Sequence, residues 1–237
     1  MKSAWVDSDA KAALDHWAKA GVSAELALRV YSTRLLGREP KLVLHGGGNT
    51  SVKTRINDLL GEEAEVLCVK GSGWDMASIE PAGMPAVRLE PLRKLLARDA
   101  VPDEEMVRVQ RTGLIDPQAP NPSVETLLHA FVPHKFVDHT HATAVLSLID
   151  QADSQARCAQ IFGSRLGFVP YIMTMNGGTS LRLDGFKSCF AASSIVFSLP
   201  GVAEPPRCCR IRQIVCGWLF HDPVVIASCV DRPTARH

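Results

Sequence analysis

At 237 residues, the chain is long enough to bury a substantial core, as one large domain or two small ones. With 46% apolar and 22% charged residues it has the composition of a soluble globular protein, and its formal net charge of +1 gives no electrostatic reason to expect nucleic acid or an anionic membrane as partner. No apolar run approaches the ~20 residues of a membrane span, and acidic residues sit where a signal peptide needs its apolar core, so a cytoplasmic protein without a membrane partner is expected.

Residues 8–20, SDAKAALDHWAKA, are alanine-rich and predict a helix capped by Ser8 or Asp9, with Gly21 after its end. Ser23 opens a second predicted helix, AELALRVYSTRLLG, with Leu26, Val30, Leu35 and Leu36 as its apolar stripe and Gly37 as its stop. LVLHGGGNTSVKT then reads as a short apolar strand, three glycines and a second strand of alternating character. EVLCVKG, residues 65–71, reads as a buried strand leading into Ser72-Gly73. Residues 85–99 and 103–115 read as helices on either side of Val101-Pro102.

Asn121-Pro122 is a helix-start signal that predicts a helix from Ser123 to His129, ended by Pro133. KFVDHTHA reads as a strand, ATAVLSLID and SQARCAQIFGSRLG as helices, and FVPYIM as a further strand. Strands and helices interleave, with connections long enough for a layered α/β sandwich.

After about Met175 the character changes. Residues 176–237 hold seven Lys/Arg and four Asp/Glu, against 19 and 21 before them, so the net charge moves from −2 to +3. Cys68 and Cys158 are the cysteines of the first 175 residues, whereas Cys189, Cys208, Cys209, Cys216 and Cys229 crowd the end. An odd count without a CxxC pair argues against a zinc knuckle, and the absence of a secretion signal argues against a disulfide framework. The chain is therefore divided into a domain at 1–175 and an atypical tail at 176–237, in which CGWLFHDPVVIASCV reads as a strand pair around His221-Asp222-Pro223.

Three features carry chemistry. HGGGNTSV (45–52) and VKGSGWD (69–75) bring glycines, hydroxyls and Lys70 to the ends of strands. Such loops either cradle an anion with backbone N–H groups or serve as plain turns, and neither is a Walker loop or a dinucleotide fingerprint. His139 and His141 are two apart, so in a strand they point to one face and can offer two imidazoles to one metal, although ordinary strand histidines share this spacing. Glu125, with His129 four residues on, is either a third ligand or proton-transfer group, or half of a solvated helix pair.

Together, LVLHGGGNTSVK, VKGSGWD, NPSVETLLHAF and KFVDHTHA resemble the class II aldolase/adducin family over roughly residues 20–173. The likeness is greatest to the aldolase part of bifunctional rhamnulose-1-phosphate aldolase/short-chain dehydrogenase proteins. It implies a three-layer α/β/α sandwich around a largely antiparallel sheet, commonly a homo-tetramer. Gly48 and Asn49 fall on the first phosphate-loop positions, Ser72 and Gly73 on the second, and Ser123 on the third, with Val124 where the family often has another serine. Glu125 falls on the catalytic acid/base, and His139 and His141 on two ligands of Zn²⁺ or a similar divalent metal. The implied reaction is retro-aldol cleavage of a small phosphorylated sugar to dihydroxyacetone phosphate and an aldehyde such as lactaldehyde.

The pattern breaks after Met173, where TMNGGTSLRLDG stands in place of the segment that carries the family's third zinc histidine. His221 is a weak substitute candidate. No GxGxxG follows a strand, so no NAD is expected. Two readings therefore stand: a zinc-dependent aldolase, or a degenerate, non-catalytic aldolase-like module.

Overall fold

The computed structural model describes residues 3–44, 47–149 and 151–163, together with the backbone of four strands between 180 and 230. The two N-terminal helices are α1 (Asp7–Ala18) and α2 (Ala24–Gly37). Val6, rather than Ser8 or Asp9, occupies the N-cap of α1, and its side chain makes no capping bond. Ser23 caps α2 as expected, its hydroxyl accepting from Leu26 N–H. Gly37 is needed for closeness: a Cβ there would lie 2.3 Å from Ala77 N and 2.5 Å from the Met76 carbonyl carbon.

The sheet begins with β1 (Asn49–Asn57), β2 (Glu63–Val69) and β3 (Ala86–Arg88), all antiparallel, followed in chain order by α3 (Leu89–Lys94), β4 (Ala100–Pro102), α4 (Asp103–Thr112) and α5 (Thr126–Phe131). Next come β5 (Phe136–Thr140), α6 (Thr143–Ile149) and α7 (Ser154–Phe162). The backbone strands β6 (Ser180–Arg182), β7 (Gln213–Leu219), β8 (Asp222–Ile226) and β9 (Ser228–Val230) complete the described residues. The main sheet runs β3-β2-β1-β5-β7-β8, with β9 also paired to β5 and β4 paired to β6 apart from it. Among the described residues only the β5–β7 pairing is parallel, so the sheet is largely antiparallel, and β7–β8 is the strand pair expected in the tail.

Alternation along the strands builds three layers. Leu67 and Val69 of β2 pack with Leu89 and Leu92 of α3, Met106 of α4 and Leu127 and Phe131 of α5. Ala64, Val66 and Cys68 face the other way and pack with Val52 and, from α2, Leu26. The result is an α/β/α sandwich. Among the described residues no helix is long and apolar enough to cross a membrane.

Several expectations are corrected. Leu42 and Val43 form no strand; both N–H groups bond to Glu39 O in the turn after α2, and their side chains are buried beside Met76 and Val145. Residues 85–99 are not one helix but β3, α3 and a 3-10 turn at Leu95–Ala97, because Val66, Leu67 and Cys68 of β2 capture residues 86–88 as a strand. The helix expected from Ser123 begins only at Thr126. Pro122 instead forms a bridge with Gly71, a pairing the local helix-start signal does not contain. The FVPYIM strand and His221 lie outside the described residues.

Candidate active site

The site sits where β1 meets β5. Their register places Asn49 opposite His139 and Ser51 opposite Val137, so Asn49, Ser51 and Lys53 share the face toward α5 with His139. Lys53 is buried, and its ammonium donates to the carbonyls of His129 (2.8 Å), Val132 (2.7 Å) and His134 (2.7 Å), which satisfies the C-terminal end of α5 and ties it to β1. The opposite face carries a buried ion pair, Arg29 of α2 to Asp138 at 2.5 Å, and a 2.6 Å hydrogen bond between the Thr33 and Thr50 hydroxyls.

His139 and His141 converge, but not as two positions within one strand: β5 ends at Thr140, and His141 lies just beyond it. Their Nε2 atoms are nevertheless 3.0 Å apart. Glu125, at the N-cap of α5, accepts from Asn49 Nδ2, from Ser123 Oγ (3.4 Å) and from His139 Nδ1 (3.2 Å). The ligand atoms of Glu125, His139 and His141 lie within 4.8 Å of one another.

The donor chemistry fits a divalent cation. Two imidazole nitrogens on one tetrahedral zinc, each at roughly 2.0–2.1 Å, stand about 3.3 Å apart, close to the separation of the two Nε2 atoms. Asn49 Oδ1 accepts from His139 Nδ1 at 3.0 Å, which leaves Nε2 as the nitrogen with a lone pair to offer. Burial, then the charge of His139, lowers the His141 pKa to about 4, so it is neutral and ready to ligate at pH 7.

The three anion-binding segments are also adjacent. Ser72 N–H donates to Asn121 O at 2.8 Å, Ser123 N–H to Lys70 O at 3.1 Å, and Ser72 Oγ to Pro122 O at 3.2 Å, zipping the second glycine loop to the segment before α5. Asn49 Nδ2 joins the first loop to this pair through Ser123 Oγ at 2.7 Å. Gly48 has φ +73°, and a Cβ there would lie 2.6 Å from His139 O, so the glycine allows the loop to press against β5. Gly73 likewise has φ +82°. With its N–H committed to Asn121, Ser72 can offer an anion only its hydroxyl, and only by releasing Pro122 O, and Val124, where the family often has a serine, is exposed. Lys70 is buried; burial lowers its pKa, while Glu125 and Asp75 act to raise it.

Two residues take places in the site other than those their local pattern suggests. His129 is fully buried, not a solvated helix residue, and Ser51 points at His129 rather than at the anion loops. The signal was present in TLLHAF, where every residue is buried: a helix apolar on all sides belongs inside the protein and takes its histidine with it.

A model of the class II aldolase and adducin N-terminal domain matches residues 28–192. The chain belongs to the class II aldolase and adducin family. The matched span runs past the domain boundary expected at residue 175. This family member is similar to the solved N-terminal class II aldolase domain of a conserved protein from Thermoplasma acidophilum, at 33% identity and a TM-score of 0.60, covering 83% of this chain and 80% of that one. It is also 43% identical over 143 residues to the uncharacterized oxidoreductase YuxG of Bacillus subtilis (strain 168). That match covers 60% of this chain and 21% of the relative, so the matched segment spans about a fifth of the longer protein.

Proposed function

We propose that the chain is a zinc-dependent aldehyde-lyase that cleaves a phosphorylated ketose of the rhamnulose-1-phosphate type to dihydroxyacetone phosphate and an aldehyde. The observation that carries this reading is convergence. Two imidazoles with Nε2 atoms 3.0 Å apart, a half-buried carboxylate and two glycine loops joined through Asn49 and Ser123 meet at one place. Family membership supports metal-dependent aldolase chemistry on a small sugar phosphate.

His139 and His141 would hold the cation through Nε2. When bound, a divalent cation supplies Lewis acidity to a carbonyl oxygen and to the negative charge that develops on it. The hydroxyls of Ser72 and Ser123, the amides of the glycine loops and the Lys70 ammonium would bind the phosphate, using remote binding energy to align the reacting carbons. The C4 hydroxyl loses its proton to solvent as the C3–C4 bond breaks and the aldehyde departs; Glu125, protonated from solvent, delivers a proton to the dihydroxyacetone phosphate carbon, and in the synthetic direction its carboxylate removes that proton. Assembly as a homo-tetramer belongs to the same reading, supported by the motifs shared with the rhamnulose-1-phosphate aldolase proteins. The name of the Bacillus relative describes a protein of which the chain spans about a fifth, so no nicotinamide chemistry is assigned to this segment.

A second reading, an aldolase-like module without catalysis, is favoured by one observation. Among the described residues the candidate metal group has two nitrogens and a carboxylate, and that carboxylate bonds to His139 Nδ1, on the side of the ring away from Nε2. Metal analysis of the purified protein, paired with a dihydroxyacetone phosphate release assay on rhamnulose-1-phosphate, separates the two. The aldolase reading expects about one zinc per chain, lost in His141→Ala, together with turnover. A parent protein without stoichiometric zinc overturns it.

A further inference from the structure

Behind the ligand pair runs a buried series of hydrogen bonds whose far end has no part in the chemistry above. Ser51 Oγ and His129 Nδ1 are 2.8 Å apart, His129 Nε2 bonds to Asn49 Oδ1, and Asn49 Oδ1 is 3.0 Å from His139 Nδ1. Ser51, His129 and His139 are 0% exposed and Asn49 2%, so no exchange with bulk water blurs the donors and acceptors.

The proton positions follow from what each atom can do. An amide oxygen only accepts, so both nitrogens facing Asn49 Oδ1 carry protons. The other end of the amide agrees, because Nδ2 donates to Ser123 Oγ at 2.7 Å and to the Glu125 carboxylate. With Nε2 protonated, a neutral His129 has a bare Nδ1, which accepts from the Ser51 hydroxyl. The ring is completely buried, with Ser51 Oγ at Nδ1 and Asn49 Oδ1 at Nε2, a setting that suits its neutral form.

We propose that His129 is a positioning residue: by donating Nε2–H to Asn49 it sets the orientation of that amide, and the amide in turn holds His139 as the Nδ1–H tautomer with Nε2 open to a divalent cation. Ser51 sets the tautomer of His129 in the same way. A ring that touches neither substrate nor metal thereby supports the presentation of one ligand, alongside Glu125, which also accepts from His139 Nδ1 at 3.2 Å. Losses of 10–100-fold in metal affinity are usual when such outer partners are removed. The inference rests on the metal reading for its consequence, but not for the tautomers themselves.

The test combines ¹⁵N-histidine spectra of the metal-free full-length chain with zinc titrations of wild type, His129→Leu, His129→Gln and Ser51→Ala. The expected spectra show His129 as Nε2–H and His139 as Nδ1–H. His129→Leu is expected to weaken zinc binding by about 10–100-fold. His129→Gln, whose side-chain N–H reaches the same oxygen, is expected to stay within a few-fold of wild type. His139 found as Nε2–H in the wild type overturns the proposal, as does a folded His129→Leu with unchanged zinc affinity. A glutamine variant as weak as the leucine variant also overturns it, by reducing His129 to a packing role. If His129→Leu does not fold, Ser51→Ala decides: a shift of His129 toward Nδ1–H with weaker zinc binding supports the proposal, and unchanged tautomers overturn it. A wild type that fails to bind zinc defeats the metal reading alone, because the tautomer spectra still judge the positioning role.

Discussion

Glu125 has a proton affinity that depends on its neighbour. Burial opposes its ionisation, but the charge of His139 and hydrogen bonds from His139 and Asn49 pull its pKa down to about 2. A neutral His139 removes the charge from that balance, so the carboxylate is a stronger base beside a neutral ring than beside a charged one. Its oxygen bonds to Nδ1 of that ring rather than facing Nε2, which supports the proposed proton-transfer role of Glu125 over ligation. Glu125→Gln is therefore expected to lower kcat by roughly 10²–10⁴-fold while retaining zinc, read by turnover and metal analysis of the same preparation. A glutamine variant stripped of zinc would make Glu125 a ligand instead.

At the scale of elements, α2 and α5 clamp β1 and β5 from opposite faces, each with a buried cation. Lys53 reaches three carbonyls at the end of α5, and Arg29 reaches Asp138, the residue before His139. Arg29→Met leaves Asp138 buried without its countercharge and is expected to cost about 3–5 kcal/mol in urea unfolding at pH 7. The pH dependence has a definite sign. Burial raises the Asp138 pKa and Arg29 opposes that, so removing Arg29 raises it further above its unfolded value. Folding then favours the protonated acid, and the deficit of the variant shrinks as pH falls through the raised pKa. A deficit that is small and independent of pH would show that the pair adds little to the seating of β5.

Across the whole molecule, the pairing of strands is uneven. β1 and β2 are matched over seven residue pairs, whereas β5 meets β7 over three and β9 over two. Short pairings hold an added edge weakly, and six of the seven Lys/Arg in residues 176–237 are trypsin cleavage points, Arg232 being followed by Pro233. We propose residues 1–175 as the stable unit, and limited trypsin digestion of the full chain is expected to leave a core ending near Met175. A full-length chain that resists digestion would show that the tail strands are held as firmly as β1 and β2.

Much of this protein was legible in its residues. The cap at Ser23, the buried run of β2, the sandwich class and the two glycine loops follow from local pattern, because capping, strand alternation and glycine geometry are short-range properties, whereas His139 and His141 converge with His141 beyond the end of β5. Tertiary contact decided the rest. Val87 became a strand residue because β2 offered an open edge, and Pro122 left its helix to bridge Gly71. His129 joined the site only when Asn49 and Ser51, some eighty residues away in the chain, met it in the interior. Hydrogen bonds between such distant groups form only after the chain has folded, so no local pattern of residues contains them.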